Sequence, residues 1–447
     1  MQVGYEQVFE FGYVCSVCND RAIPNVSVIP ERAYQYLRHL SLCDDDESKL
    51  LRLKSVGGVE TIQFLNYVGV IVTPDGFQIE ILPKIVKHAE HNDAVSDSRR
   101  SLLNMLRTLG MYRHIQTAAA HLEKYKMPLL EIFIGQFLSS VNQLVKRGIK
   151  RDYQPQSDNL FYLKGKLNIN AQLKHNLVQQ HRFCVDYDEY VPDIIVNRLI
   201  KAALQKVLLM TRSAQNQRLA RELEFVFADV SPIMVQAISK ETLNLSRGME
   251  HYQVPVAWSQ LILEGISPLS MRGDAHAFSL LFPLESVFES YVESVLRQTL
   301  HPPITVKGQL QTSHLVTYDA KRMFRLKPDI AVYNGGELKL VLDTKWKLID
   351  ASKANGTDKF LLSQQDFYQM HAYGHKYLQG EGDLVLIYPS NDKFTAPLTS
   401  AFEFSSSLRL WVVPFDIHHQ TYDVDRLKLP SQLNGQLTHA PDISMVF

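Results

Sequence analysis

The sequence predicts a multidomain α+β protein, and three observations carry that prediction. The chain has 447 residues, which at about 150 residues per domain leaves room for roughly three cores. Its apolar pattern changes twice along the chain, from strand-like alternation to helical periodicity to a mixture of both. Its composition, 45% hydrophobic and 21% charged, is that of a folded globular protein. Low hydrophobicity with high net charge would mark disorder, and 21 Gly with 19 Pro fall far short of a collagen-like filament. Four cysteines make no disulfide scaffold. The 47 basic and 47 acidic residues cancel, which argues against a generic, charge-driven nucleic-acid binder. The expected segments are a β-rich domain over 1–96, a mainly helical region over 97–250 and an α/β domain over 251–447.

In the first segment, Val8 to Val17 and Ile62 to Val72 are rich in β-branched and aromatic residues. The turn Pro74-Asp75-Gly76 leads into Phe77 to Leu82, where apolar residues alternate with Gln78 and Glu80. One helix interrupts the strands, Pro30 to Leu42, and a polar break at His88 to Ser98 ends the segment. The middle segment carries helical spacing at Leu102, Leu103, Leu106 and Leu109, then over Leu129 to Val145 and Ile194 to Met210, with a β excursion at Tyr153 to Leu167. The last segment opens with a helix from Pro283 to Leu300 whose apolar stripe includes Leu284, Phe288, Tyr291 and Val295. Strands follow at Arg325 to Tyr333 and Glu337 to Lys347. A helix spans Ser363 to Leu378, with Ser363 and Asp366 spaced as a capping box, and apolar strands run over Asp383 to Tyr388 and Leu408 to Phe415.

The chemistry concentrates in that last segment. Lys327-Pro328-Asp329 is followed fourteen residues later by Asp343-Thr344-Lys345. Asp343 ends the apolar run Leu338 to Leu342, and a carboxylate buried there is costly unless it is paired or metal-bound. Lys345, two positions on, shares its face. A three-residue loop at Asn334-Gly335-Gly336 would pair Tyr333 with Glu337 and set Asp329 opposite Val341, with Asp343 diagonal to it at roughly 5.5–8 Å. A two-residue loop would throw the acids onto opposite faces. Two carboxylates beside a lysine suit metal-assisted phosphodiester hydrolysis: oxygen ligands for Mg²⁺, with Mn²⁺ as a substitute, and a cation to stabilise charge or orient water.

Pro-Asp, a hairpin and Asp-x-Lys resemble the core of the PD-(D/E)xK nuclease superfamily. The resemblance implies a further acid from the entry helix, at Glu289, whose plain alternative is a solvated row with Glu285 and Glu293. Gln369-Met-His-Ala-Tyr373 resembles the Q-x-x-x-Y motif of the RecB-like branch, with Gln369 assisting catalysis and Tyr373 either touching DNA or packing. Four further stretches widen the likeness: Gly69-Val through Ile79-Glu-Ile-Leu-Pro-Lys84, Leu163-Lys-Gly165-Lys-Leu167, Tyr187-Asp-Glu-Tyr through Pro192-Asp-Ile-Ile-Val-Asn197-Arg, and Asp366 through Tyr373. Together they are similar to the McrC family, the nuclease subunits of McrBC-type modification-dependent restriction systems. That likeness implies a Mg²⁺-dependent DNA endonuclease with Asp329, Asp343 and Glu289 at the metal and Lys345 catalytic. It also implies an N-terminal region docked on a hexameric AAA+ GTPase, McrB, which the chain stimulates, and double-stranded, modified DNA as substrate. Two alternatives stay open, a non-cleaving activator of the GTPase and a free-standing RecB-like nuclease.

Other signals bear on partners. No Gly-x-x-x-x-Gly-Lys-Ser/Thr run occurs, so this chain alone is expected to bind no nucleotide. Cys15, Cys18, His39 and Cys43 have zinc-like spacing, against the alternative of small buried thiols. Between Gln143 and Arg182 eight basic residues (Lys146, Arg147, Lys150, Arg151, Lys164, Lys166, Lys174, Arg182) face two acids, Asp152 and Asp158, which suggests contact with DNA or an acidic partner. A second cluster, Lys307, Lys321, Arg322, Arg325 and Lys327 with only Asp319 opposing, leads into Asp329 and is expected to meet DNA. The opening residues carry no secretory pattern and no apolar run reaches the ~18 residues of a membrane span, so a cytoplasmic protein is expected.

Overall fold

The computed structural model describes residues 4–16, 26–43, 50–84, 91–108, 127–233, 245, 248–265, 278–417 and 426–433. It mixes helices with several sheets. The chain forms two compact units, one of Met1–Lys126 with Leu281–Phe447 and the other of Met127–Leu280. Where the sequence reading has three segments, the first and last fold together.

The N-terminal part of unit one comprises β1 (Tyr5–Phe9), β2 (Tyr13–Cys15), β3 (Val26–Val28), α1 (Glu31–Cys43), β4 (Leu51–Val56), β5 (Val59–Phe64), β6 (Tyr67–Val72), β7 (Gln78–Leu82) and α2 (His91–Leu106). The apolar run from Ile62 to Val72 is two strands rather than one. β5 lies in a sheet of order β3-β2-β5-β4, and β6 pairs antiparallel with β7 in another sheet. β7 is buried along its whole length, so its alternating Gln78 and Glu80 do not reach solvent. The Glu80 carboxylate, 0% exposed, receives Nε and Nη2 of Arg99 at 2.7 Å each, and the Tyr5 hydroxyl also donates to it. Arg99 belongs to α2, a helix that begins at His91, inside the stretch read as a polar break. Its apolar side (Val95, Leu102, Leu103, Leu106) is buried, and its one buried cation is matched by a carboxylate.

Unit two contains α3 (Leu129–Arg147), β8 (Asp152–Leu160), β9 (Lys166–Leu167), α4 (Ile169–His175), β10 (Phe183–Val191), α5 (Ile195–Met210), α6 (Ala214–Val226) and α7 (Gln253–Glu264). The β excursion is a three-stranded antiparallel sheet of order β8-β10-β9. The helices share a core of Phe137, Leu138, Val141, Leu199, Ile200, Ala203 and Val207. Buried Glu131 of α3 accepts from Thr211 Oγ1 at 2.7 Å, the Arg212 and Ser213 backbone amides at 2.5 and 3.2 Å, and Asn216 Nδ2 at 2.8 Å. A carboxylate placed at the start of α6 satisfies orphan amides and complements the helix dipole.

The C-terminal part of unit one is entered through β11 (Phe278–Pro283), the fourth strand of the sheet β1-β7-β6-β11. There follow α8 (Leu284–Thr299), β12 (Ile304–Gly308), β13 (His314–Tyr318), β14 (Lys321–Arg325), β15 (Ile330–Asn334), β16 (Glu337–Thr344), α9 (Gln364–Tyr377), β17 (Gly382–Pro389), β18 (Phe402–Glu403) and β19 (Leu408–Phe415). Six of these strands form one mixed sheet, β12-β15-β16-β17-β19-β18, in which β16, β17 and β19 run parallel. Val341, Leu384, Leu386, Leu410 and Val412 pack with Met370 and Tyr373 of α9 in one core. The expected strand from Arg325 to Tyr333 is interrupted at Pro328, which has no amide to give a ladder. The capping box does not form: the Ser363 side chain makes no cap bond, and Asp366 instead accepts from the Tyr388 hydroxyl at 3.1 Å.

Candidate metal centre

The hairpin β15–β16 positions the two acids, by a route different from the expected one. Its loop has two residues, not three: Asn334 pairs with Glu337, and Gly335 and Gly336 take φ of 60° and 89°. Two consecutive positive φ values define a type I′ turn, whose twist matches that of the strands. On its own this turn would put the acids on opposite faces. The ladder is corrected by an irregularity between Val332 and Tyr333: Tyr333 pairs with Leu338 but Val332 with Leu340, so Lys339 is an extra residue. Such a bulge shifts the register by one. Ile330 then pairs with Leu342, and one further step sets Asp329 directly opposite Asp343.

Asp343 shares its register position with Leu386 and Val412, the row beneath α9, and is 0% exposed. Neither of its buried carboxylate oxygens has a hydrogen bond of good geometry. What it has is charge: Lys345 Nζ stands 2.7 Å from Oδ2. Burial, and then the Asp329 charge, holds the Asp343 carboxyl well above the ordinary range. Asp329 is half-buried, and its Oδ2 accepts both the Thr344 amide and the Thr344 hydroxyl at 2.7 Å. Burial raises its pKa too, opposed by those two bonds and by Lys345.

Lys345 continues the parallel ladder with its amide on Ile387 O at 2.9 Å. Burial disfavours its charge, but Asp343, Asp329 and Asp366 outweigh that and raise its pKa. Its Nζ also donates to Gln369 Oε1 at 3.1 Å; Gln369 Nε2 donates to the Tyr373 hydroxyl at 2.6 Å, and that hydroxyl donates to Lys327 O at 2.9 Å. Gln369 and Tyr373, one helical turn apart, thus join the lysine to the backbone just before Asp329. Tyr373 is 2% exposed. Its expected contact with DNA gives way to the packing alternative, because the helix face carrying it is the one buried on the sheet.

Glu289 of α8 is half-buried, accepts Gln309 Nε2 at 3.1 Å and feels Asp329 and Lys345. Burial, then Asp329, raises its pKa. Among the described residues, however, no three His, Cys, Asp or Glu side chains converge to hold an ion. The acids brought together are Asp329 and Asp343, and Glu289 stands beside them rather than as a third ligand of a preformed cage. Mg²⁺ commonly uses one or two carboxylates and takes its other ligands from water and phosphate. A buried carboxylate with two unbonded oxygens opposite a second carboxylate fits that ion.

The structure also places residues that the sequence reading missed. Thr344 orients Asp329, Gln309 bridges Glu289 to the Asp329 backbone through its amide at 2.7 Å, and Asp366 adds charge beside Asp343. Only Asp366 left a trace in the sequence, as a helix-start residue. Arg322, Arg325 and Lys327 are exposed on or after β14. In unit two, Lys164 is taken by Glu189 at 3.4 Å and by the Tyr187 ring, and Arg182 lies over Phe161. Cys15 is fully buried and His39 exposed, while Cys18 and the Cys43 side chain lie outside the described residues. No helix among the described residues is long and apolar enough to cross a membrane.

Comparison with known proteins completes the picture. Residues 62–389 match the family described as McrBC 5-methylcytosine restriction system component. The Type IV methyl-directed restriction enzyme EcoKMcrBC of Escherichia coli (strain K12) is 20% identical over 303 residues, which is 63% of this chain and 86% of that protein. Among solved structures, a chain of the refined half-complex of Thermococcus gammatolerans McrB AAA+ hexamers with bound McrC has the same fold. Its TM-score is 0.65 at 20% identity, over 93% of this chain and 96% of that one. With well over half its length matched, the chain belongs to the family of McrBC 5-methylcytosine restriction system components.

Proposed function

We propose that this chain is the Mg²⁺-dependent endonuclease subunit of an McrBC-like restriction complex, with its last segment a PD-(D/E)xK nuclease domain. It acts on double-stranded, modified DNA, and its partner is an AAA+ GTPase hexamer of the McrB kind, which it stimulates. The observation that carries the reading is Asp343: a fully buried carboxylate, unbonded at both oxygens, facing Asp329 and ion-paired to Lys345. Such a group is costly in a purely structural role. Membership of the McrBC family supports the partner, and the absence of a P-loop in this chain agrees with nucleotide being handled elsewhere.

Asp329 and Asp343 would hold the cation. When bound, it supplies Lewis acidity and neutralises charge on the scissile phosphate. The other roles belong to the chain. Thr344 aims Asp329 and favours its charged form, and Lys345 presents a cation where negative charge accumulates on the phosphate in the transition state. Gln369 fixes that ammonium, and Glu289, with its raised pKa, is placed to hold a proton near the site. The test is cleavage by the complex reconstituted with its GTPase. Asp343→Ala is expected to abolish cutting while GTPase stimulation persists; cutting at the wild-type rate would overturn the assignment.

A further inference from the structure

β13 and β14 form a two-stranded ribbon of their own, outside the main sheet. Asp319 and Ala320, at φ of 48° and 60°, make its tight turn. An isolated two-stranded ribbon has little stability of its own, and this one leaves its apolar residues in solvent: Tyr318 and Phe324 are each 71% exposed, Val316 44% and Met323 37%. Phe324 also has a φ of 56°, where a bulky residue is rarely found, and the ladder skips its pair with Leu315. Strain at an exposed aromatic points to a use beyond folding. Interleaved with these side chains are Lys321, Arg322 and Arg325, all exposed, with Asp319 the one acid of the ribbon.

The base of the ribbon is pinned to the metal centre. Tyr377 and Tyr373, one turn apart on α9, donate their hydroxyls to the carbonyls of Leu326 and Lys327, each at 2.9 Å. The Leu326 amide closes the ribbon on Ser313 O at 3.0 Å. The same helix holds Lys345 through Gln369, so the ribbon leaves the site in a fixed direction. We propose that it is a duplex-DNA clamp in which Lys321, Arg322 and Arg325 grip phosphates on either side of a groove that Tyr318 and Phe324 enter. A two-stranded ribbon fits the major groove, phosphates account for the cations, and apolar contact with base edges such as the thymine methyl accounts for the exposed aromatics. The inference rests on the nuclease reading and names how that site receives its substrate.

The experiment is binding of a short fluorescent duplex to the full chain assembled with its GTPase, with Ca²⁺ in place of Mg²⁺, over a salt series. Lys321→Glu with Arg322→Glu and Arg325→Glu is expected to weaken binding at least about tenfold and to flatten the salt slope by roughly two to three contacts. Tyr318→Ala with Phe324→Ala is expected to weaken binding several-fold with the salt slope unchanged, since the lost contacts carry no charge. All five side chains are exposed, so melting temperatures should stay at the wild-type value. Binding within twofold of wild type for both variants overturns the clamp, as does lost GTPase stimulation with DNA binding intact, which would make the ribbon a protein contact. The two readings fail separately: Asp343→Ala that still cuts sinks the metal site, whereas intact duplex binding by the ribbon variants sinks only the clamp.

Discussion

The indole Nε1–H of Trp346 is shared by both carboxylate oxygens of Glu10, at 3.0 and 2.9 Å. These residues lie 336 positions apart, and Trp346 directly follows Lys345. The Trp346 ring also meets Phe288 edge-on, at 5.2 Å between centroids, on the helix that carries Glu289. One hydrogen bond therefore ties the N-terminal strands to the residue beside Lys345.

Glu10 sets a pH dependence of stability. It is 5% exposed, and burial pushes its carboxyl up to about 7, against the opposing pull of Trp346 and Lys84. A carboxyl whose pKa is higher folded than unfolded binds its proton preferentially in the folded state. Its contribution is complete below about pH 4 and is lost as pH rises to about 7. Glu10→Gln keeps an acceptor for the indole and cannot titrate. Relative to wild type, it should therefore gain stability as pH rises, by up to about 3 kcal/mol. Thermal melts across that range check it, and parallel curves for the two proteins would count against the account.

Thr344→Val tests the orientation of Asp329. The isosteric change removes the hydroxyl donor to Oδ2 and leaves the amide donor in place. Partners of metal ligands typically contribute about 10–100-fold in affinity. The Mg²⁺ concentration for half-maximal cleavage should rise roughly tenfold, with the rate at saturating Mg²⁺ within a few-fold of wild type. An unchanged Mg²⁺ dependence would take Asp329 out of the metal site.

Gln369 and Tyr373 form a hydrogen-bond chain that ends on Lys345, and the expectation is that they act through that lysine and not on DNA. Gln369→Ala frees the ammonium and should lower the cleavage rate about a hundredfold, the range for a mispositioned catalytic group. Duplex affinity should not move. Tyr373→Phe keeps the buried ring and removes its links to Gln369 and Lys327 O, costing about 1 kcal/mol of stability and a smaller part of the rate. Loss of affinity in place of rate would make Gln369 a DNA contact.

Which residues meet is more legible in the sequence than how the backbone brings them together. Asp329, Asp343 and Lys345 were readable because a charged triplet closing an apolar strand is physically anomalous, and the Gln369–Tyr373 spacing because a helix puts i and i+4 on one face. α2 was hidden because its His91–Ser98 start is polar and its one buried cation, Arg99, finds its carboxylate only in the fold. Thr344 and Gln309 looked like ordinary polar residues. Folding together of the first and last segments left no local trace either, since β11 and the Glu10–Trp346 bond join residues hundreds of positions apart. The expected three-residue loop gives way to two residues because the bulge at Lys339, which no local residue preference marks, lets a type I′ Gly-Gly turn still set the acids on one face.

That bulge makes a prediction with two unequal arms. The type I′ turn alone places Asp329 and Asp343 on opposite faces, and Lys339, as the extra residue, restores them to one. Deleting Lys339 removes the bulge and leaves a regular ladder in which Val332 still pairs with Leu340 and Asp329 still faces Asp343. The only ion pair lost at that side chain is the exposed one with Glu337 at 2.7 Å, of the kind that contributes about 0–1 kcal/mol. Inserting one alanine after Lys339 has no such release: either a wider bulge forms or the strand beyond it turns over and carries Asp343 away from its partner. The deletion should therefore keep cleavage within about tenfold of wild type, while the insertion abolishes it in a protein that still folds. Cleavage assays with circular dichroism on both variants decide the matter. If the insertion cuts as well as the deletion, the register of this hairpin does not set the site.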